Sequence, residues 1–181
     1  MVGWNEAYTP EKGYAEAKGV VAMFRDSTVG STTGVEASPV LVAFTRLRRE
    51  NDLLIAAIAR DHGLHPPDFR AVAFVWQTPG TTPRGLAEYL ALSLSATTAM
   101  IDRLVAAGYV LRSPNPDDGR SFRLDVTEEG AEAVEDAVQR YSAAFDVALP
   151  ADGRDELAAT FLDLADALAA VSADRAAPAH T

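Results

Sequence analysis

Cysteine is absent from this chain of 181 residues. That excludes disulfides, thiolate metal sites and thiol-based redox sensing by the chain itself. No apolar run approaches membrane-spanning length, and the N-terminal MVGWNEAYTPEKGY lacks the basic-then-apolar order of a signal peptide. A cytoplasmic location with no membrane partner is therefore expected. No Gly-rich phosphate loop, nucleophile elbow or paired catalytic carboxylates stand in a context that would use them, so neither an enzymatic activity nor a cofactor is expected. Positive charge is scarce as well, with 16 Lys and Arg against 26 Asp and Glu, a formal net charge of −10. The hydrophobic fraction of 48% against 23% charged is that of a globular protein with one substantial core or two small ones.

The charge is unevenly distributed. Residues 1–82 carry 8 basic and 9 acidic side chains, residues 83–127 carry 5 of each, and residues 128–181 carry 3 and 12. Acid is concentrated in the C-terminal third, and the centre is neutral. A neutral surface is a poor electrostatic footprint for nucleic acid, so any binding there must rest on shape and specific contacts.

Turn and cap residues punctuate the chain. Thr9-Pro10-Glu11 predicts a helix running to about Arg25, followed by the small-residue linker DSTVGSTTG; residues 1–35 read as an N-terminal extension. Ser38-Pro39 starts a helix to about Asp61, with Leu41, Phe44, Leu47, Leu54 and Ile58 at helical spacing and Asn51 in the same seam. After His62-Gly63, Pro66 and Pro67 open a helix through Phe69, Val72, Ala73 and Trp76 that stops before Pro79-Gly80. Two amphipathic helices close the chain, one burying Val134, Val138, Tyr141 and Phe145, the other Leu157, Phe161, Leu164, Leu168 and Val171, before a frayed APAHT tail.

The stretch Leu86–Gly130 is the most informative. Thr82-Pro83 starts a helix over roughly 83–91, and Ser93 caps a second from Leu94 to Ala107, with Gly108 as its left-handed stop. That second helix would extend about 21 Å at about 1.5 Å per residue. Tyr109–Arg112 and Phe122–Val126 are β-like runs joined by SPNPDDGRS, whose two prolines and Asp-Gly make a turn. Helix, helix and β-hairpin in that order can place the second helix in a DNA major groove and the hairpin tip on the backbone beside it.

These residues resemble the MarR family of winged helix-turn-helix regulators from about Gly63 to Gly130. GLHPPDFRAVAFV is similar to the family's entry into its second helix, LAEYLALS to its scaffold helix, and SATTAMIDRLVAAGYVLR to its recognition helix and following strand. NPDDGRSFRLDVTEEG resembles the wing signature, Asp-x-Arg followed by an apolar strand, Thr and Gly. The resemblance implies a mainly α fold with a small β-hairpin wing (α+β). Residues 67–129 would be the winged helix-turn-helix DNA-binding domain, and residues 36–66 and 130–173 a helical dimerisation region. It also implies a homodimer on a pseudo-palindromic operator in double-stranded DNA, acting as a repressor and released by a small-molecule effector near the junction of the domains.

On the recognition helix, Leu94, Met100, Ile101 and Leu104 are expected to face inward and Ser95, Thr98, Asp102 and Arg103 outward. Hydroxyls at a helix start can bond phosphate or a base edge, assisted by the unpaired N–H groups there; equally, Ser93, Ser95 and Thr97 can simply cap or solvate the helix. The DNA-binding candidates are Ser95, Thr97, Thr98, Arg103, Arg112, Asp118, Arg120 and Arg123. Arg120 at the wing tip, two residues after Asp118, suits a narrow minor groove if the carboxylate braces it; without the resemblance, the two would be an ordinary surface ion pair. Arg112 and Arg123 would add phosphate contacts or form a solvated strand face. Phe44, Arg48, Trp76 and Tyr141 are candidate ligand-binding residues, although apolar residues at helical spacing are usually core. His62 and His65, near Asp61 and Asp68, could be a metal site but read better as a polar loop, so no metal is expected.

Leu94, Ala96 and Ala99 stand where the family commonly has basic or polar residues. The neutral unit and acidic C-terminal third keep a rival open, a winged-helix protein-interaction module acting as an anti-repressor or heterodimer partner with weak DNA binding. With few cations to release counterions, DNA affinity should fall only shallowly with salt. Arg120→Ala should weaken binding to a DNA site selected by the wild-type protein. Titration of both proteins across a salt series checks this, and an unchanged affinity would remove the wing from the interface.

Overall fold

The computed structural model describes residues 38–116, 118, 121–150 and 152–176; the expected Thr9–Arg25 helix, the linker after it and the APAHT tail lie outside them. The described elements follow the order α1 (Pro39–Asp61), α2 (Pro66–Gln77), α3 (Pro83–Leu90), α4 (Leu94–Ala106), β1 (Val110–Pro114), β2 (Phe122–Val126), α5 (Glu128–Ala148) and α6 (Arg154–Ala176). The chain divides into two compact units between Tyr141 and Ser142.

Side-chain caps set the helix starts. The Ser38 hydroxyl accepts from Leu41 N–H at 3.2 Å, Thr82 from Gly85 N–H at 3.2 Å and Ser93 from Ala96 N–H at 3.3 Å. A proline follows Ser38 and Thr82 directly, where its missing N–H costs nothing. Gly63 (φ 65°) and Gly108 (φ 82°) reverse the chain after α1 and α4. Ala91 takes the same left-handed geometry at φ 53°, holding the tight turn between α3 and α4 without a glycine.

Within the first unit, Val72, Val75, Leu86, Ile101, Leu104, Val110 and Leu124 form one core that fastens α2, α3 and α4 to the hairpin. Each large side chain in it contributes about 1.5–3 kcal/mol on burial. The strands pair antiparallel, with Val110 opposite Val126 and Pro114 opposite Phe122. Thr81 extends the pairing by bridging to Leu124, so the chain entering α3 is tied to the base of the hairpin. A second cluster, Ile58, Ala59, Phe69, Ala133 and Ala137, joins the end of α1 to α2 and α5.

A polar clamp reinforces that second cluster. His62 Nε2 lies 3.1 Å from Asp136 Oδ2, and Arg140 reaches Asp136 at 2.8 Å and Asp61 at 2.9 Å. The hydrogen bond from Arg140 holds the Asp136 carboxyl below the ordinary carboxylate value, against an opposing effect of burial and with further help from His62. His62 therefore has a carboxylate partner on α5, while His65 is exposed at the start of α2.

One chain meets the expected burial along the flanking helices only in part. Val134 is buried and Tyr141 half-buried, but Val138 and Phe145 on α5 are exposed, as are Leu41 and Leu47 on α1. In the second unit, Arg154 pairs with Asp146 at 2.8 Å and donates to Leu149 O at 3.1 Å, closing the turn between α5 and α6. Phe161, Leu164, Leu168 and Val171 of α6 remain exposed. Helical spacing identifies an apolar face but not the surface that covers it.

The Thr and Gly after the hairpin have a specific structural purpose. Thr127 donates its hydroxyl to Gly108 O at 2.6 Å and accepts from Gly130 N–H at 3.0 Å, capping α5 while binding it to the end of α4. Gly130 lies directly over the carbonyl oxygen of Tyr109, and a Cβ there would overlap that oxygen and stand 3.2 Å from Val126 Cβ. Gly130→Ala should lose about 1–3 kcal/mol or more, because the obstruction is backbone and cannot rotate away. Urea denaturation against wild type measures this.

Candidate nucleic-acid interface

The inner face of α4 repeats at helical spacing. Thr97, Met100, Ile101 and Leu104 are buried, which turns Ser95, Thr98, Ala99, Asp102 and Arg103 outward. Four of these outward positions match the sequence expectation. Two other residues do not. Thr97, expected at the DNA, is 0% exposed, and its hydroxyl donates to Ser93 O at 3.0 Å. Its spacing of three, four and seven from Met100, Ile101 and Leu104 carried that signal in the sequence. Leu94, expected inside, is 57% exposed, because the first turn of α4 overruns the core that begins at Thr97.

The hydroxyls on the outer face are engaged locally. Thr98 Oγ1 donates to Leu94 O at 2.8 Å, and Ser95 Oγ lies 3.1 Å from Ser93 Oγ. Ser93 is the cap, as one of the two sequence alternatives had it.

The cations are engaged too. Arg103 Nη2 donates to Asp68 Oδ1 at 2.8 Å, joining α4 to the first turn of α2. Asp68 shares a face with Ala71, Val72 and Val75, so its carboxylate is buried and requires a partner. Sequence reasoning took Arg103 for a DNA ligand alone and missed this pairing, although a charge on the apolar face of α2 signalled that a cation was needed. Arg112 on β1 pairs with Asp102 of α4 and lies 4.6 Å from the centre of the Phe122 ring, which fastens the hairpin to α4. Arg123 Nε donates to Asn115 Oδ1 at 3.3 Å within the hairpin. Asp118 accepts from Ser121 N–H through its backbone carbonyl at 2.9 Å, closing the tip. Arg120 lies outside the described residues, and the proposed Asp118–Arg120 brace with it.

The ligand candidates are more dispersed. Tyr141 donates to Asn51 Oδ1 at 2.7 Å, which brings it against α1, and burial pushes its hydroxyl above the ordinary tyrosine value. Phe44 and Arg48 are exposed on the N-terminal half of α1, and Trp76 is exposed in the last turn of α2.

Residues 64–122 match the MarR family. Over 59 residues the chain is 41% identical to the multiple antibiotic resistance protein MarR of Salmonella typhimurium. That alignment covers 33% of this chain, and the chain spans 41% of the length of that relative. Among solved structures, a MarR transcriptional regulator from Methanosarcina mazei shares the fold at 21% identity and a TM-score of 0.60, over 73% of this chain and 97% of that one. A mutant MarR from Escherichia coli complexed with operator DNA is 25% identical with a TM-score of 0.53, over 70% of this chain and 93% of that one.

The ion pair between α2 and α4 is lopsided, Arg103 being 58% and Asp68 8% exposed at the side chain. Removing Arg103 strands a buried carboxylate, whereas removing Asp68 leaves a guanidinium that water can solvate. Arg103→Ala should therefore cost about 1–3 kcal/mol and Asp68→Ala less than about 1 kcal/mol. Chemical denaturation of both variants gives the order, and the reverse order would contradict the asymmetry.

Proposed function

We propose that this chain, whose residues 64–122 match the MarR family, works as a homodimeric, ligand-responsive repressor on a pseudo-palindromic operator. The observation that carries the reading is α4, whose outer face is exposed while its inner face is locked into the core that also holds the hairpin. Agreement with the fold of a relative bound to operator DNA supports the same use of that helix.

Residues 36–66 and 130–173 are assigned to dimerisation around the DNA-binding domain at 67–129. Their support is the apolar surface that a single chain leaves exposed on α1 and α6. A two-fold DNA reader needs such an interface to set the distance between its two recognition helices. An effector acts, in this reading, by binding near Phe44, Arg48, Trp76 and Tyr141 and favouring a spacing that no longer fits both half-sites. The tie between Tyr141 and Asn51 supplies the contact between α1 and α5 through which such a ligand could work.

A second reading has one observation in its favour. Arg103 and Arg112 are both held by carboxylates, which suits a winged-helix protein-interaction module with weak DNA binding, acting as an anti-repressor or heterodimer partner. Selection of genomic fragments by the purified full chain at low salt separates the two. The repressor reading expects an enriched inverted repeat with half-site centres about 34–36 Å apart, one DNA turn. Failure to enrich any repeat would favour the interaction module.

A further inference from the structure

We propose that α4 reads its DNA chiefly through the methyl groups of thymine, with Leu94, Ala96, Thr98 and Ala99 as the specificity-determining residues. The inference rests on the operator-binding reading above and adds the base chemistry that the helix selects.

Polar base readout in the major groove commonly uses Arg or Lys on guanine and Asn or Gln on adenine. α4 contains no Lys, Asn or Gln, and its one Arg, Arg103, is paired with Asp68 at 2.8 Å. Asp102, the acidic residue of the outer face, is paired with Arg112. The hydroxyl proton of Thr98 is given to Leu94 O at 2.8 Å, so towards a base edge Thr98 offers its γ-methyl and an acceptor oxygen but no donor. Ser95 is engaged with Ser93. Beyond the acceptor oxygens of Ser95 and Thr98, what the exposed first two turns offer is the Leu94 side chain, the Cβ atoms of Ala96 and Ala99, and the Thr98 methyl. In winged and simple helix-turn-helix domains the N-terminal residues of the recognition helix are those that reach base edges.

Only one base edge in the major groove carries an apolar group, the thymine edge with its C5-methyl. A surface of small apolar groups gains by covering that methyl. Covering any base edge strips hydrogen-bonding groups of water without replacement, and only the thymine edge returns an apolar contact for that cost. A helix of this composition therefore selects A·T pairs under its first two turns. The small side chains also let the helix backbone lie close to the groove floor, which Arg or Gln would prevent.

Deoxyuridine pairs like thymidine and differs from it by the methyl alone, so it isolates the proposed contact. The full-length protein first selects its site from a random duplex library. Thymidines in each half-site are then replaced one at a time by deoxyuridine and the affinities measured. Replacement at a contacted position should weaken binding about fourfold, the factor carried by burial of one methylene-sized group. Leu94→Ala, at a position 57% exposed and outside the core, should lose that discrimination at one position per half-site. Specific binding that is indifferent to deoxyuridine, or selected half-sites rich in G·C under the helix, would overturn the inference and leave the operator-binding reading intact. Failure to select any site would overturn that reading, and the inference with it.

Discussion

Three elements meet at the hydroxyl of Thr127. It caps α5 by accepting from Gly130 N–H, donates to Gly108 O at the end of α4, and follows β2 directly in sequence. The backbone of Thr127 adds a bond to Tyr109 O, the same carbonyl that Gly130 must clear. The direction in which the hairpin leaves α4 and the direction in which α5 leaves the hairpin are thus fixed together. Tyr109 extends the junction by donating its own hydroxyl to His62 O at the end of α1. Every element of the first unit has a bond or a core contact leading back to this place, so a small error there would misdirect the wing and both flanking helices.

Electrostatics in this protein serve the fold before they serve a ligand. Asp68 with Arg103, Asp102 with Arg112, and Arg140 with Asp61 each join two elements, and Asp136 holds Arg140 in place from one turn away. Such pairs, partly screened by water, are individually modest, but their geometry fixes orientation. The consequence is an outer face of α4 low in uncommitted charge. Under the proposed operator-binding reading, affinity there would come from shape, wing contacts and apolar complementarity.

Much of this was legible in the sequence. Ser38-Pro39, Thr82-Pro83 and Ser93 set helix starts because capping is local chemistry between residues two to three apart, and Gly63 and Gly108 set ends for the same reason. The hairpin followed from its turn residues, although β1 begins at Val110 and runs to Pro114 instead of spanning Tyr109–Arg112. Less legible were facts that depend on distance. Arg103 finds Asp68 from 35 residues away, and His62 finds Asp136 from 74. The exposure of Leu94 depends on where the neighbouring core stops, which no spacing rule contains. The expected apolar stripe is present on α5 but not on α6, whose apolar residues are spread around the helix, and a period of 3.6 cannot say whether a covering surface belongs to the same chain.

The two faces of α4 differ in how freely they can change. Thr97, Met100, Ile101 and Leu104 answer to the core, while Leu94, Ser95, Ala96, Thr98 and Ala99 answer to whatever lies outside it. Only Arg103 and Asp102 belong to both accounts, through their partners on α2 and β1. A lineage can therefore rewrite the outer positions without endangering the scaffold, and duplicated copies can diverge in target while keeping one architecture. The outer face of the helix is a replaceable surface on a fixed mount, and its evolvability follows from the same spacing that buries its other side.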